Sequence, residues 1–132
     1  IYAYDVNPAT GDLAHRRVFV QVPGDEGIPD GLTVDADGFV WSAQWYGAQV
    51  VRYDPEGKVE RRIKMPCKQV SSVAFGGKDL NELYITSAGA SWQSRYAPPG
   101  YDFGASDIGG SLYRVRLEIQ GRLEHQAGLL LT

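Results

Sequence analysis

Short stretches in which apolar and polar residues alternate recur along the whole chain, separated by turns rich in Gly, Pro and Asp. Strict alternation is typical of a β-strand that buries one face. The pattern predicts strands at 1–7, 16–22, 31–36, 39–45, 49–54, 58–65, 70–76, 82–88, 111–118 and 122–128. Because no stretch of ten residues has the period of a helix, the sequence predicts an all-β fold.

The strands repeat as two kinds of pair. The segments "VVRYDPEGKVERRIKMP" and "LYRVRLEIQGRLEHQAG" share one plan, and "GLTVDADGFVWSAQW" and "SVAFGGKDLNELYITSA" share another. Joined, they give four-strand units at 31–66 and 72–128, after the last two strands of an earlier unit at 1–22. Four-stranded units repeating at roughly 45 residues are typical of propeller blades. We therefore predict one domain, 1–132, of about two and a half four-stranded antiparallel blades of a β-propeller.

An immunoglobulin-like sandwich is the alternative fold, but it would not explain the internal repeat, and no Cys…Trp…Cys pattern is present. Two and a half blades do not close a ring, and open strand edges favour aggregation. The chain also starts at Ile1, inside an apolar alternation. We therefore expect a fragment or a processed product, whose ring is completed by lost sequence or by a second copy in a homodimer.

Composition argues against several kinds of partner. The net charge is −3, and Lys58, Arg61, Arg62 and Lys64 alternate along one predicted strand. This pattern is typical of a solvated face and not of a basic stripe that binds nucleic acid. No apolar run approaches the 18 residues of a membrane span. Cys67 is the only cysteine, so no internal disulfide can form. We predict a cytoplasmic protein in which Cys67 is a small buried apolar residue.

The segment "GIPDGLTVDADG" contains three aspartates. The segment around Asp35 and Asp37 lacks the terminal Glu and the flanking helices of an EF-hand. We therefore interpret these two aspartates as hairpin-turn residues. The lone cysteine and two distant histidines, His15 and His125, cannot form a zinc site. No G-x-S-x-G motif of a serine hydrolase is present.

Asp30 lies between Pro29 and Gly31 at the start of a predicted innermost strand, where no helix cap or obvious turn requires a carboxylate. A carboxylate there is predicted to point toward the axial pocket, where propellers bind metals and substrates. An Asx-type turn into the strand is the alternative. The long segment 89–110, rich in aromatic residues, is predicted to be a lid or binding loop.

The segments "IPDGLTVDADGFVWSAQWYGAQVVRYDPEGKVERRIKMP" and "KQVSSVAFGGKDLNELYITSA" resemble the C-terminal half of the regucalcin (senescence marker protein)/gluconolactonase family. The likeness covers most of residues 1–128. Its PDG motif, V-D-x-x-G hairpin, W-x-A strand, R-x-D-P-x-G turn and F-G-G…L-Y-I-T-S run follow the family's order.

The resemblance implies a six-bladed propeller that binds one divalent cation in its axial channel and hydrolyses sugar lactones to aldonic acids. Asp30 matches the PDG aspartate, which serves in the family as a metal ligand and as the proposed general base. The cation is expected to be Ca²⁺, with Mg²⁺, Mn²⁺ or Zn²⁺ as alternatives. It would polarise the lactone carbonyl and lower the pKa of a bound water.

The sequence also departs from the family pattern. By comparison, the other ligands, a Glu in the first blade and Asn residues in the middle blades, lie upstream of Ile1. The chain alone is therefore expected to bind the metal weakly unless partner groups are restored, and whether it is active by itself stays open. The loop is longer and more aromatic than in mammalian members, and Trp92, Arg95 and Tyr101 are candidates for binding substrate hydroxyls. A non-catalytic calcium-binding or assembly half-propeller and a phosphotriester hydrolase are the alternative functions.

Overall fold

The computed structural model describes residues 1–89, 96–105 and 107–124. In these ranges nine strands form three antiparallel sheets, and no helix is present that could cross a membrane. The all-β prediction is confirmed. The strands are β1 (Tyr2–Val6), β2 (Leu13–Val18), β3 (Ile28–Val34), β4 (Val40–Trp45), β5 (Gln49–Tyr53), β6 (Val59–Lys64), β7 (Val70–Gly76), β8 (Glu82–Ser87) and β9 (Leu112–Arg116).

Within each sheet, every strand pairs with the next one along the chain. The first sheet contains β1 and β2, the second β3 to β6 in order, and the third β7 to β9. This up-and-down order is the one that the predicted blades require. The predicted tenth strand is absent over residues 122–124, and the rest of it lies outside the described residues.

The second strand begins earlier than predicted, because Leu13 and Ala14 pair with Val6 and Asp5 of β1, and it ends at Val18, opposite Tyr2. The backbone of Ile1 accepts hydrogen bonds from the amides of Phe19 and Val20, at 2.9 and 3.2 Å. The amino group of Ile1 donates to the Val20 carbonyl at 2.8 Å. These bonds extend the pairing just beyond β1, and residues 19–22 do not form the continued strand that alternation predicted.

The main core lies between the second and third sheets. Trp41, Ala43 and Val50 of the second sheet face Leu83 and Ile85 of the third, and all five are almost completely buried. Burying a side chain as large as Leu or Ile contributes about 1.5–3 kcal/mol. This layer therefore holds the two sheets face to face. Cys67 belongs to the same cluster, as predicted.

The beginnings of β3 and β7 and the end of β4 lie at one end of the fold. Trp45 pairs with Ile28 and also forms a bridge with Gln69. The loop after β8 returns to this end, since the amides of Lys68 and Gln69 donate to the carbonyls of Asp107 and Ile108, both at 2.8 Å. The fold therefore anchors the base of the predicted lid at the end of the strands that carries Asp30.

Asp35 has a larger role than the predicted turn residue. Its Oδ1 accepts from the amides of Asp37 and Phe39 at 3.0 Å, as a turn aspartate does. Its Oδ2 accepts from Trp41 Nε1 at 2.9 Å and from Arg52 Nε at 2.8 Å. The carboxylate is fully buried, and the Arg52 side chain is only 6% exposed. The turn interpretation was therefore incomplete, because it missed a buried ion pair.

Candidate functional site

Asp30 lies within a β-bulge of β3. Pro29 pairs with Gln44 and Leu32 pairs with Ser42, so Asp30 and Gly31 together oppose a single residue of β4. A bulge turns a side chain away from the regular strand direction and is over-represented beside active sites. The sequence predicted Asp30 at the start of this strand, whereas the strand starts two residues earlier, at Ile28.

The carboxylate of Asp30 is exposed, but the surrounding protein removes part of its hydration and raises its pKa. A raised pKa in a carboxylate without a neighbouring acid is a desolvation effect, because burial disfavours the charged form. A carboxylate in such a position is a stronger base than one in free water. The arrangement therefore suits proton transfer as well as cation binding.

Gly31 brings the inner strands of two sheets into contact. A Cβ atom at this position would lie 2.6 Å from Ser72 Cβ and 2.7 Å from Ser72 Cα. These distances are far below van der Waals contact, and the second involves a backbone atom that cannot rotate away. Gly31 is therefore required by the close approach of β7, which fixes the backbone next to Asp30.

Substituting Gly31 with alanine is expected to lower the free energy of unfolding by about 1–3 kcal/mol, because the new methyl group forces β3 and β7 apart. Chemical denaturation followed by tryptophan fluorescence measures this loss. Gly24→Ala is the matched control, since a Cβ at Gly24 meets no atom within 4 Å. Equal midpoints for the two variants would contradict the strand contact.

A cleft of about 230 Å³ opens beside the beginning of β3, between the first and second sheets. Its wall is mixed, with polar and apolar surface in similar amounts, and includes Ile1, Tyr2, Val20, Gln21 and Pro29. Pro29 precedes Asp30 directly in the chain, so the cleft lies beside the strand segment that carries Asp30, but Asp30 does not line it.

Of the three predicted substrate-binding residues, the structure describes Tyr101, whereas Trp92 and Arg95 lie outside the described residues. The ring of Tyr101 contacts Tyr46 and Phe103, with centroid distances of 4.6 and 4.9 Å. Its hydroxyl is buried and has no hydrogen-bond partner in the described ranges. Burial, followed by the nearby Tyr46, raises the pKa of this hydroxyl. In this conformation Tyr101 anchors the loop to the end of β4.

The described residues supply one carboxylate of the chemical type that divalent-metal sites use. Ca²⁺ takes six to eight oxygen ligands, and the Asp30 carboxylate is of the right chemical type. No group of three or more His, Cys, Asp or Glu side chains suitable for a metal occurs in the described part of the chain. The donor type therefore fits a hard cation, but the number of donors does not, and these residues alone do not hold the ion.

Sequence reasoning missed the hydroxyl residues next to this site. Ser72 contacts Gly31, and its neighbour Ser71 lies 2.8 Å from Thr86, measured between the two hydroxyl oxygens. Single serines and threonines in strands carry no motif. The signal that could have revealed them is the internal repeat, which aligns "DGLTV" with "SSVAF".

Three up-and-down sheets, with inner strands in contact and a carboxylate in the bulge of one of them, define a chain built of β-propeller blades with a polar site at one end of its strands. Residues 1–89 match the model of the family described as "SMP-30/Gluconolactonase/LRE-like region". The chain belongs to this family, and the partial-propeller prediction is confirmed.

Three relatives illustrate the likeness. The pentonolactonase of Haloferax volcanii is 40% identical over 131 residues, which cover 99% of this chain and 44% of the relative. Regucalcin of Danio rerio is 44% identical over 89 residues, 67% of this chain and 30% of the relative. The crystal structure of the calcium-binding protein regucalcin from Agrobacterium tumefaciens aligns with a TM-score of 0.77 at 30% identity, covering 93% of this chain and 40% of the other. The chain therefore spans less than half the length of these relatives.

Proposed function

We propose that this chain is part of a divalent-metal-dependent sugar lactone hydrolase in which Asp30 is the general base and one ligand of the metal. The observation that carries the proposal is the position of Asp30, in the bulge of an inner strand, exposed and with a raised pKa. The names of the relatives support the substrate class, since they include a pentonolactonase and a gluconolactonase family.

In this reaction Asp30 accepts a proton from a water molecule as the water oxygen attacks the lactone carbonyl carbon. The new C–O bond forms, and the ring C–O bond of the ester breaks. The proton passes from Asp30 to the departing ring oxygen, which becomes a hydroxyl group of the aldonic acid. A positioned general base typically contributes a factor of about 10² to 10⁴ to the rate.

The remaining metal ligands must come from groups beyond the described residues, because Asp30 alone cannot hold a divalent cation. We propose Ca²⁺ as the ion, supported by the calcium-binding regucalcin whose fold the chain shares. Mg²⁺, Mn²⁺ and Zn²⁺ are the alternatives. A second copy of the chain in a homodimer is one source of the missing blades and ligands.

Removing the divalent cation is expected to abolish lactone hydrolysis above the spontaneous rate. A pH-stat assay of the assembled protein, in which the chain is joined by the groups that complete the metal site, measures the effect with glucono-1,5-lactone and with a pentonolactone, before and after dialysis against EDTA. Restoring Ca²⁺ should restore the rate, and unchanged circular dichroism of the metal-free chain is the control for folding. Hydrolysis that is insensitive to EDTA would contradict the proposal.

The second candidate is a non-catalytic calcium-binding or assembly module. The observation that favours it is the single carboxylate of the site in the described residues. In that case Ca²⁺ would change the chemical shifts of Asp30 or the mass of the assembly that the chain forms. The pH-stat would record no turnover with any lactone. Turnover that depends on Ca²⁺ would exclude this candidate.

A further inference from the structure

The inner strands β3 and β7 occupy equivalent positions, since each is the first strand of its sheet. The repeat that aligns "DGLTV" with "SSVAF" pairs Asp30 with Ser71, and Gly31 with Ser72. Ser71 thus occupies, in the third sheet, the position that Asp30 occupies in the second.

The backbone geometry supports this equivalence independently of the sequence. In the third sheet, Val70 pairs with Ser87 and Ser72 pairs with Thr86, so Ser71 is the extra residue of a bulge. Asp30 belongs to the corresponding bulge of β3. Two equivalent inner strands therefore have the same irregularity at the same level.

The two bulges also lie next to each other. Gly31 is packed against Ser72, as described above. Ile28 and Gln69, which precede these residues in their strands, are both joined to Trp45. The two strands therefore run in the same direction from a common end, and Asp30 and Ser71 occupy equivalent bulge positions on neighbouring inner strands.

Ser71 and Thr86 form a pair of hydroxyl groups at the level of the bulge. Its Oγ lies 2.8 Å from Thr86 Oγ1, and both side chains are at least partly exposed. One hydroxyl donates to the other, which leaves one proton and several lone pairs available to a ligand. Two adjacent hydroxyls on the inner strand next to the one that carries the Asp30 carboxylate match the repeated hydroxyl groups of a sugar lactone or its aldonate.

We propose that the Ser71–Thr86 hydroxyl pair is a polyol-binding subsite of the Asp30 site and helps to select the substrate. The inference rests on the proposed function and extends it to a second sheet. The occupant would be a polyhydroxylated ligand whose reacting end lies at Asp30 and whose hydroxyl groups exchange hydrogen bonds with Ser71.

Binding of D-gluconate to the assembled, Ca²⁺-loaded protein tests this subsite. D-gluconate is the product type of the reaction and is not hydrolysed. A titration that follows the chemical shift of the Asp30 carboxyl carbon measures the dissociation constant of D-gluconate. Ser71→Ala is expected to weaken binding about 2- to 10-fold, the range that corresponds to one net hydrogen bond. Ser71→Thr, which keeps the hydroxyl, should bind within twofold of the original chain.

Thr10→Val is the matched control. Its hydroxyl donates to Asp12 Oδ2 at 2.7 Å in the turn between β1 and β2, outside the site, so gluconate affinity should not change. Equal affinity of the Ser71→Ala variant and the original chain, with Asp30 still responding to gluconate, would overturn the subsite alone. If the Asp30 resonance of the original chain did not respond to gluconate, both the subsite and the proposed function would be overturned.

Discussion

Replacing Asp35 with alanine is expected to lower the free energy of unfolding by about 3–5 kcal/mol, because the change leaves a buried guanidinium without its closest partner. Arg52 contacts this carboxylate through two nitrogens, at 2.7 and 2.8 Å, in a region with almost no access to water. Breaking one member of a buried pair costs more than the pair contributes, since the remaining charge stays desolvated.

Other partners of Arg52 reduce the loss of stability but do not replace Asp35. Arg52 also reaches Glu60 at 3.1 Å and Asp37 at 3.4 Å, and its guanidinium carbon lies 3.8 Å from the ring centroid of Phe39. Glu60 and Asp37 are both more exposed than Asp35. Neither is hydrogen-bonded to Trp41 Nε1, so that buried donor would also lose its acceptor.

Urea denaturation of the Asp35→Ala variant measures the effect, and Asp54→Ala provides a matched control. Asp54 accepts from the amides two and four residues ahead, at 3.1 and 2.8 Å, which is the same turn pattern as that of Asp35. Within residues 1–89, 96–105 and 107–124, no buried arginine is paired with Asp54. The control should lose about 1 kcal/mol, the usual contribution of turn hydrogen bonds. Similar losses in both variants would show that the ion pair contributes nothing.

Replacing Asp30 with asparagine is expected to reduce lactone hydrolysis by a factor of about 10² or more in the assembled, metal-loaded protein, because an amide cannot accept the proton from water. Asparagine keeps the shape of the side chain and an oxygen for the cation. The loss should therefore fall mainly on kcat, and the change in metal affinity should be smaller. Turnover at the level of the original protein would eliminate Asp30 as the base.

Measuring the stability of the Asp30→Asn variant distinguishes a loss of catalysis from a loss of folded protein. The pKa of Asp30 is higher in the folded than in the unfolded state, so the folded chain binds more protons in the interval between the two values. The contribution of Asp30 to stability therefore decreases as the pH rises through that interval. At neutral pH the asparagine variant should be at least as stable as the original chain, as thermal unfolding at pH 4 and pH 7 would show. A lower melting temperature at pH 7 would contradict this assignment.

Alternation in the sequence was enough to predict most of the strands, and β7 has the predicted bounds of residues 70–76. Sequence reasoning failed where distant contacts decide the outcome. Asp35 and Asp54 occur in turns of similar composition, so local sequence could not show that Asp35 would meet an arginine 17 positions later.

The candidate site was only partly predictable for a related reason. Asp30 was conspicuous because a carboxylate between Pro29 and Gly31 lacked a local purpose. The neighbouring sheet approaches beside it through the packing of Gly31 against β7, which no local pattern encodes. Ser71 is unremarkable in a strand, and only the comparison of the two repeats with the paired bulges distinguishes it.

The up-and-down strand order has a consequence for the route of folding. Because each strand within a sheet pairs with the next one in sequence, most hairpins can form with short loop closures and little loss of entropy, β8 and β9 with their long connection excepted. Residues 120–124, in contrast, reach back to the end of β3 and the turn after it. There the Ala36 amide donates to the Gln120 carbonyl at 2.9 Å, and Thr33 Oγ1 donates to Glu124 at 2.9 Å. These bonds close a loop of more than eighty residues. Strand pairing should therefore be fast, and the attachment of this segment should be among the last events as the chain folds.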